Sequence, residues 1–379
     1  MSAKQIYFAM LLCPIFLCPQ NAFKSMSKLS VIVPTYNERG NLKKLVEKTL
    51  SSLKGLKFEL IIVDDNSPDG TGKLADELAS KHKNVKVVHR QGRLGLGTAI
   101  LDGAKVADGE IMGVMDADMQ HPPEVLRTML EKAEAGADIV IASRYVKGGG
   151  VESWSFFREA MSKGAIWLSH LFLPKTRKVE DTQSGYFLFK RHVIENVSLN
   201  VKEFKLLVEI LAKGKYKNVV EVPYTFKTRA AGKSKLGSIQ ILSYAKQLLR
   251  LSEYRVLKFM AVGVSGIVVN LGLLWLLVSS AKVPEGVAGI FSIETSIISN
   301  FLLNNFWTFR GRKGGNFSSK LLKYHGSVGL GGIINYVTFV LLSAGGLNYL
   351  VADAIGILLG FILNYFLSEI FVWRGVVSQ

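Results

Sequence analysis

The stretch GEIMGVMDADMQHPPE, residues 109–124, places two carboxylates directly after an apolar, strand-like segment. Asp116 and Asp118 stand two positions apart, and like charges that close repel each other unless a cation or hydrogen-bond donors compensate. A pair with this spacing at the end of a strand projects both side chains to one side. Such a pair suits a hard divalent ion, Mg²⁺ or Mn²⁺, that keeps open positions for phosphate oxygens. The alternative is a plain surface loop, in which short acidic doublets are common.

The segments around this stretch alternate between strand and helix patterns from residue 29 to about residue 235. Short apolar runs such as LSVIVP, FELIIVDD, VKVVHR and DIVIASR predict strands, and the intervening segments have the apolar spacing of helices. Repeated βα units predict a mainly parallel sheet that is covered by helices on both faces. Ligands of such a Rossmann-like α/β fold bind at the carboxyl ends of the strands.

Two more polar loops follow predicted strands at that same edge: VIVPTYNE, residues 31–38, and LIIVDDNSPDGT, residues 60–71. Tyr36 could stack on a nucleotide base, and Asp65 could accept a hydrogen bond from a base or a ribose. The alternative role for Asp64 and Asp65 is to cap the following helix. Several acidic loops that converge on one edge exceed what capping requires, so this edge is predicted to bind a ligand.

The chain from residue 257 onward is predicted to lie in a membrane. Four apolar segments, at about 257–280, 284–306, 322–344 and 348–371, are long enough to cross the roughly 30 Å of hydrocarbon in a bilayer. The second half is therefore predicted to be an all-α transmembrane domain of four helices.

These spans repeat internally. LKFMAVGVSGIVVN (257–270) aligns without gaps to LKYHGSVGLGGIIN (322–335), and NFLLNNFWTFRG (300–311) aligns to NYFLSEIFVWRG (364–375). The repeat predicts one two-helix hairpin used twice, with the copies related by an axis along the membrane normal. Chance similarity among apolar sequences is the alternative.

The formal net charge of +17 implies anionic partners, such as nucleic acid, a membrane surface or phosphorylated substrates. Basic residues cluster before the first span, between the second and third spans and after the fourth, whereas the other two loops contain only Lys282. By the positive-inside rule, the α/β domain and both termini are predicted to face the cytoplasm. Nucleic acid is not expected as a partner, because the charge excess clusters at the predicted inner membrane surface.

Two segments have the pattern of helices that lie along a membrane surface. SIQILSYAKQLLRLSEYR, residues 238–255, has apolar residues at helical spacing with basic residues opposite, and it leads directly into the first span. Residues 153–174 are amphipathic and rich in aromatic side chains. The alternative for each segment is a helix that faces the core of the soluble domain.

The N-terminal segment has three interpretations. As a membrane span, the apolar run from Ile6 to Leu17 is shorter than the standard length. As a signal peptide, it resembles the apolar core but has no clear cleavage site. In the third interpretation, translation starts at Met26. The only two cysteines, Cys13 and Cys18, lie here, so any metal bound by the rest of the chain must use oxygen or histidine ligands. The predicted division is an N-terminal extension (1–28), the α/β domain (29–237), an interfacial helix (238–256) and the transmembrane domain (257–379).

Seven motifs together resemble the family-2 glycosyltransferases of the dolichol-phosphate mannose synthase type. They are, in chain order, VPTYNE, VDDNSPDGT, GLGTA, MDADMQHPP, SRYVKGGG, DTQSGYFLF and VPYTFKTRAAGKSKLG, and the resemblance covers residues 29–250. The four-span half is similar to the GtrA-like membrane domain, which is a less specific match. The resemblance implies a GT-A fold for the α/β domain and transfer of a sugar from a nucleotide donor to a polyprenyl phosphate.

The resemblance also implies roles for individual residues. The nucleotide pocket would contain Pro34, Tyr36, Glu38, Val63 and Asp65. The metal ligands would be Asp116, Asp118 and Gln120. The donor diphosphate would be held by Arg229 and Lys235, and the acceptor phosphate would be bound by Arg144, Arg158 and Ser162. Asp116, Ala117, Asp118 and Arg144 are further expected contacts of the donor, and Asp118, Arg144, Arg158 and Ser162 are the expected catalytic residues. Met119 and Gln120 stand where many relatives have Leu and Ser, which leaves the third metal ligand in question.

The implied reaction is a metal-dependent transfer of mannose from GDP-mannose to dolichyl phosphate with inversion at the sugar carbon. The acceptor phosphate is already anionic, so it needs positioning by arginine rather than deprotonation. One alternative keeps the chemistry but uses UDP-glucose or another polyprenyl acceptor. In a second alternative the membrane half is a flippase for a lipid-linked sugar, with a path lined by Asn270, Asn335 and Glu294.

Three further signals carry less weight. GRLGLGTA is not a dinucleotide fingerprint, because Ile100 stands where the third glycine is required. His121 is predicted to start a helix and face water rather than to bind metal. Glu294 lies within a predicted span, where an acid is costly and suggests a function, unless it bonds to a neighbouring helix.

Overall fold

The computed structural model describes residues 27–200, 205–228, 238–312 and 315–374. These residues form two compact units whose segments alternate along the chain. The first unit comprises the described residues up to 142 together with 186–195 and 216–228. The second comprises 143–185, the described residues of 196–215, and those from 238 onward.

A seven-stranded sheet forms the centre of the first unit. Its order is β3-β2-β1-β4-β7-β5-β8, with parallel pairing from β3 through β4 and with β7 antiparallel to both β4 and β5. The prediction of a mainly parallel sheet is confirmed, although β7 pairs antiparallel with both of its neighbours. Its seven strands are β1 (Leu29–Thr35), β2 (Phe58–Asp64), β3 (Val85–His89), β4 (Ile111–Val114), β5 (Ile139–Ser143), β7 (Phe187–Lys190) and β8 (Val219–Pro223). Two short strands, β6 (Gly150–Val151) and β9 (Thr225–Phe226), are not part of this sheet.

The helices of the first unit cover this sheet with apolar faces. They are α1 (Arg39–Ser52), α2 (Thr71–Lys81), α3 (Leu96–Val106) and α4 (Val125–Glu134). In α4 the buried residues Leu126, Met129, Leu130 and Ala133 recur at helical spacing, which is the pattern of a helix with one core-facing side. β2 is buried along its whole length, as expected for a parallel strand with helices on both faces.

The second unit is helical. It contains α5 (Phe156–Phe172), α6 (Leu206–Lys213), α7 (Ser238–Leu251), α8 (Arg255–Trp275), α9 (Glu285–Leu303), α10 (Phe317–Ala344) and α11 (Tyr349–Leu367). One-turn π-helical segments, Leu276–Ser280, Asn304–Thr308 and Ser368–Val372, extend α8, α9 and α11. Two short 3₁₀ turns, Pro174–Lys178 in this unit and Arg191–Val193 in the first, complete the helical elements of the described chain.

Four of the described helices are long and apolar enough to span a membrane: Arg255–Ser280, Glu285–Thr308, Phe317–Ala344 and Tyr349–Val372. They confirm the four predicted spans. The third begins five residues earlier than predicted because the side chain of Asn316 accepts a hydrogen bond from the backbone N–H of Ser319, at 3.0 Å, and so caps the helix.

The two hairpins of this membrane bundle have the same local packing. Gly266 of α8 lies directly against the carboxamide of Asn300 on α9, and Gly331 of α10 lies against that of Asn364 on α11. Residues 266 and 331 occupy equivalent positions of the repeat, as do residues 300 and 364. A Cβ atom at residue 266 would clash with Asn300, and one at residue 331 would lie only 3.0 Å from Asn364, so glycine permits the close helix approach. The predicted internal repeat is therefore present in the structure.

Glu294 is bonded to a neighbouring helix. Its Oε1 lies 2.9 Å from Nε2 of His325 on α10. The bonded interpretation of this acid agrees with the contact, and the contact explains why an acidic side chain is tolerated on a membrane-spanning helix.

The two predicted surface helices each bury one face and expose the other. Leu173, Val208, Tyr244 and Leu248 form a small apolar core among α5, α6 and α7. On the opposite faces, Phe156 is 89% exposed and Leu242 is 72% exposed. Exposed apolar faces on helices that join a membrane bundle favour contact with lipid, so both of the alternatives considered for these segments apply in part.

Candidate active site

The ends of β1 and β2 bring the predicted nucleotide-pocket residues together. Pro34 and Val63 are register partners in the parallel pair, and the N–H of Asp65 donates to the carbonyl of Thr35 at 3.0 Å. Tyr36 follows immediately, and the guanidinium of Arg93 lies 4.8 Å from the centre of its ring. This cation–π contact holds the Tyr36 ring at this edge of the sheet.

The end of β2 and the loop that follows it give different contacts to the adjacent acids Asp64 and Asp65. Asp64 is buried and accepts hydrogen bonds from Thr35 Oγ1 at 3.0 Å and from Ser67 Oγ at 2.6 Å. The start of α2 is instead bonded by Asp69, whose Oδ1 accepts from the Thr71 N–H at 3.0 Å. The alternative in which Asp64 and Asp65 cap the helix is therefore wrong, because the chain makes one more turn before the helix begins.

Asp65 forms a buried ion pair with Arg90, which the sequence analysis did not identify. Arg90 follows β3, its side chain is 4% exposed, and its Nη1 bonds to Asp65 Oδ1. Further bonds from Arg90 Nε to Asp102 at 3.1 Å and from Nη2 to Thr98 at 2.5 Å fix the guanidinium. The Gly95 N–H donates to the second oxygen of Asp65 at 3.3 Å. Asp65 is thus held in one orientation at the edge of the sheet.

Replacing Arg90 with methionine is expected to leave the Asp65 carboxylate buried without its cation. Removing one partner of a buried pair typically costs about 3–5 kcal/mol, so the unfolding temperature should fall and the KM for the nucleotide donor should rise. Lys105→Met is the matched control, because Lys105 bonds to Asp102 of the same network from a side chain that is 74% exposed. Equal behaviour of the two variants in thermal unfolding and donor titration would contradict this role.

Glu38 completes the predicted nucleotide group. Its backbone N–H donates to Thr71 Oγ1 at 3.0 Å, and its side-chain Oε2 accepts from Asn41 Nδ2 at 2.8 Å. These contacts link the loop after β1 to the start of α2. All five predicted nucleotide residues therefore lie on the paired ends of β1 and β2 or on the loops that follow them.

The loop after β4 holds the acidic pair. The Met115 N–H donates to the Ile32 carbonyl at 3.2 Å, so the loop leaves the sheet beside β1. Asp118 is 6% exposed and accepts from the Gln120 N–H at 3.2 Å, whereas the side chain of Asp116 is 39% exposed. Met119, which lies between Asp118 and Gln120, has a left-handed φ of 64°, and this turns the chain sharply. Ala117, between the two acids, is buried.

His121 is buried against the loop after β4 and does not face water. It is 1% exposed, stacks on Tyr186 with 5.0 Å between ring centres, and meets Tyr224 and Phe226 edge-on. The Asp116 N–H donates to its Nδ1 at 3.1 Å, so that nitrogen is an acceptor and is not available to a metal. The predicted water-facing histidine is wrong, because its three aromatic partners come from distant parts of the chain.

Tyr186 contributes a second support for the same loop. Burial raises the pKa of its hydroxyl well above the ordinary value, so the group stays protonated. It donates to the carbonyl of Pro122 at 3.0 Å. The proline turn that follows the acidic pair is therefore fixed by a permanent donor.

The residues of this loop fit a divalent cation with two carboxylate ligands. In the described part of the chain no third His, Cys, Asp or Glu joins Asp116 and Asp118 in one group. Gln120 donates through Nε2 to the Lys227 carbonyl at 3.0 Å, so it would have to bind metal through Oε1. Oxygen donors from two or three side chains leave further positions for phosphate oxygens, which is the usual arrangement for Mg²⁺.

The predicted diphosphate-binding residues Arg229 and Lys235 lie outside the described residues. The segment that leads to them is nevertheless attached to the acidic loop. The Lys227 N–H donates to the Gln120 carbonyl at 3.2 Å, and together with the Gln120 side chain this makes a two-bond link.

The predicted acceptor group belongs to the second unit. Arg144 donates from Nε and Nη2 to the two oxygens of Asp181, both at 2.7 Å. The Nε and Nη2 edge of the Arg144 guanidinium therefore binds a carboxylate of the chain itself. This differs from the expected bidentate contact with phosphate. Asp181 is the first residue of the DTQSGYFLF motif. Its place in that motif is the sequence feature that could have identified it as a site residue.

Trp154 lies between the two arginines of this group. Its ring centre is 5.2 Å from the guanidinium of Arg144 and 4.4 Å from that of Arg158. Arg158 stands in the first turn of α5, and Ser162 follows one turn later on the same face. The structure thus brings Arg144 and Arg158 together on one aromatic side chain, which the sequence analysis had not assigned.

A cavity of about 300 Å³ opens beside this group. It is lined by Tyr145, Lys163, Ile166, Trp167, His170 and Glu180. Lys163 pairs with Glu159 at 2.6 Å, and this hydrogen bond raises the pKa of the lysine, which keeps it cationic. The lining therefore combines apolar walls with one cation, Lys163, and one acid, Glu180.

Comparisons with known proteins identify the family of the chain. Residues 30–198 match the model of the family described as glycosyl transferase family 2, and residues 258–373 match that of the GtrA/DPMS transmembrane domain. A dolichol-phosphate mannosyltransferase of Pyrococcus furiosus is 45% identical over 351 residues, which cover 91% of this chain and 99% of the relative. The chain belongs to the dolichol-phosphate mannosyltransferase family. It is a glycosyltransferase and an integral membrane protein, so both resemblances identified from the motifs are confirmed.

Other relatives match a smaller share of the chain. The polyprenol monophosphomannose synthase of Mycolicibacterium smegmatis is 39% identical and covers 56% of this chain and 82% of its own, and the dolichol-phosphate mannosyltransferase of Saccharomyces cerevisiae is 36% identical with 60% and 87% covered. A solved structure of mannosyl-3-phosphoglycerate synthase from Rubrobacter xylanophilus is similar with a TM-score of 0.46 at 17% identity, over 59% of this chain and 73% of that one.

Proposed function

We propose that the chain transfers mannose from GDP-mannose to dolichyl phosphate or another polyprenyl phosphate. The observation that carries the proposal is the match to the Pyrococcus furiosus mannosyltransferase, which extends over both the soluble and the membrane half. The polar loops at the ends of β1, β2 and β4 support it, because they gather nucleotide-binding side chains and an acidic pair at one edge of the sheet.

Asp116, Asp118 and Gln120 would hold the Mg²⁺ or Mn²⁺ ion that accompanies the donor diphosphate. When bound, the ion would neutralise the charge that develops on the leaving diphosphate. Arg229 and Lys235 would add two cationic donors to the same phosphates. Tyr36, Glu38 and Asp65, together with the sheet positions Pro34 and Val63, would hold the nucleoside.

The acceptor phosphate would be positioned by the second unit. Arg158 and Ser162 present a cation and a hydroxyl one turn apart, and Arg144 is fixed by Asp181 beside them. Since the phosphate is already an anionic nucleophile, these residues need to orient it and do not need to remove a proton. The polyprenyl chain would lie along the apolar walls around Ile166 and Trp167.

The reaction would be a single in-line displacement. A phosphate oxygen of the acceptor forms a bond to the anomeric carbon while the bond from that carbon to the diphosphate oxygen breaks, and GDP leaves with the electron pair. One displacement inverts the configuration, so an α-linked donor gives a β-linked lipid phosphate sugar. The distribution of basic residues supports an orientation with this chemistry on the cytoplasmic side of the membrane.

The test incubates purified full-length protein with dolichyl phosphate, Mn²⁺ and either radiolabelled GDP-mannose or UDP-glucose. We expect label to enter the lipid fraction from GDP-mannose only, and the released sugar phosphate to be the β anomer. Label from UDP-glucose alone would overturn the donor but keep the reaction type. An α-linked product would exclude a single displacement.

A further inference from the structure

The acidic loop after β4 contains a buried histidine to which the proposed transfer assigns no role. His121 directly follows the predicted metal ligand Gln120, yet its side chain is only 1% exposed. Its ring is packed against Tyr186, Tyr224 and Phe226, which all belong to the first unit. Polar groups buried to this extent normally have hydrogen-bond partners, so the contacts of the imidazole indicate its role.

One hydrogen bond determines which ring nitrogen of His121 carries the proton. The backbone N–H of Asp116 can only donate, and it donates to Nδ1 at 3.1 Å. A nitrogen that accepts this bond is unprotonated, so the ring is neutral and its proton lies on Nε2. The Oδ2 atom of Asp116 lies 3.8 Å from the same Nδ1, beyond hydrogen-bond distance. The imidazole therefore bonds to the main chain of Asp116 and does not neutralise its carboxylate.

This bond closes the acidic loop on itself. It joins Asp116 to His121, and the left-handed φ of 64° at Met119 turns the chain between them. Just before the loop, the Met115 N–H donates to the Ile32 carbonyl at 3.2 Å, which attaches the chain to the sheet. The main chain of Asp116 is thus fixed by the sheet on one side and by His121 on the other.

The orientation of the His121 ring is set by its aromatic neighbours. Tyr186 stacks on it with an interplanar angle of 19°, and Tyr224 and Phe226 meet it edge-on at 66° and 69°. Aromatic pairs prefer such stacked and edge-to-face arrangements, so these three contacts restrict rotation of the ring. The Nδ1 atom is therefore a preoriented acceptor for the N–H of Asp116.

We propose that His121 is a positioning residue for the cation at the acidic loop. It fixes the main chain of Asp116 and thereby the distance between the Asp116 and Asp118 carboxylates, and it neither binds the cation nor transfers a proton. Metal ligands are commonly oriented by hydrogen-bonded neighbours of this kind, and loss of such a neighbour typically lowers metal affinity roughly 10- to 100-fold. The assignment rests on the proposed function for the presence of the cation.

Two variants separate the ring of His121 from its acceptor atom. His121→Phe keeps an aromatic ring against Tyr186 but has no acceptor, whereas His121→Asn has no ring but keeps an oxygen near the position of Nδ1. Full-length protein in detergent is titrated with Mn²⁺ alone, and free Mn²⁺ is followed by electron paramagnetic resonance. We expect the Kd for Mn²⁺ to rise roughly 10- to 100-fold in His121→Phe and by a smaller factor in His121→Asn.

His192→Phe is the matched control, because it makes the same exchange at a histidine whose side chain is 52% exposed and lies beside Asp138. This control should bind Mn²⁺ as tightly as the unsubstituted protein. Unfolding temperatures are measured on the same samples. A purely structural role of His121 would lower the unfolding temperature and leave the Kd of the folded protein unchanged, which would contradict the proposal.

Spectroscopy of the unsubstituted protein tests the assignment without a change in the site. In protein labelled with ¹⁵N-histidine, the signals missing from His121→Asn identify His121. We expect its Nδ1 to be unprotonated and its Nε2 to be protonated, with both shifts nearly unchanged by saturating Mg²⁺. A protonated Nδ1 would overturn the proposal, and so would a large Mg²⁺-induced shift at either nitrogen, because His121 would then be a metal ligand.

Transfer from GDP-mannose is assayed on the same preparations. Normal transfer together with equal Mn²⁺ Kd values in His121→Phe and His192→Phe would refute this inference alone. A Kd that depends on His121 in a protein that transfers no mannose would refute the proposed function alone. If the unsubstituted protein bound no Mn²⁺, the metal site would be refuted, and this inference with it.

Discussion

The Asp118→Asn variant is expected to lose sugar transfer by roughly a hundredfold or more, the loss typical when one group that stabilises transition-state charge is removed. The Gln120 N–H donates to Asp118 Oδ1 at 3.2 Å. Asparagine has the same size and keeps an oxygen that can accept this hydrogen bond, so the loop should stay folded. What the substitution removes is one of two negative charges that would hold the cation. The activity is measured as label entering lipid from the nucleotide sugar, over a range of Mn²⁺ concentrations.

Asp108→Asn is the matched control for this experiment. Asp108 is another acid of the first unit, 60% exposed and bonded to Lys28 at 3.0 Å and Lys86 at 2.7 Å. Exposed pairs contribute little, so this variant should keep its rate within about twofold and its metal dependence unchanged. If Asp118→Asn retained full activity at every Mn²⁺ concentration, the acidic pair would not be a metal site.

The sequence predicted those features that depend on local pattern. Alternating apolar segments sufficed for the βα units, because each strand and helix must bury one face within its own neighbourhood. The four spans were predictable because hydrocarbon thickness sets their length. The gapless repeat already implied that Gly266 and Gly331 are equivalent. Only the structure shows that an asparagine side chain packs against each of these glycines.

Features that depend on distant pairing could not be predicted. Arg90 is an ordinary basic residue after a strand until the fold brings Asp65 beside it. His121 looked like a surface residue since its partners Tyr186 and Tyr224 are at least 65 positions away. Asp181 was visible as part of a motif, but its bidentate contact with Arg144 requires three-dimensional information. The roles of the site residues stay predictions until they are tested.

Glu369 is the second position where a large effect is expected, this time on stability. Its side chain is fully buried, its Oε1 lies 2.8 Å from Arg312 and 3.4 Å from Arg255, and Arg255 also donates to the Phe172 carbonyl at 3.0 Å. One carboxylate thereby holds the ends of several membrane helices and the end of α5 together. Glu369→Leu would leave two guanidinium groups buried without an anion. The expected loss is about 3–5 kcal/mol, seen as a large fall in unfolding temperature in detergent.

A combined variant separates the charge effect from simple loss of packing. Replacing Glu369 with leucine and both Arg255 and Arg312 with methionine removes the whole charged group and fills its space with apolar side chains. Such exchanges are often neutral or stabilising, so the triple variant should unfold at a higher temperature than Glu369→Leu alone. Glu285→Leu, at an exposed position at the start of α9, should change stability by no more than about 0.5 kcal/mol. A triple variant as unstable as the single one would mean that Glu369 acts through its shape and not its charge.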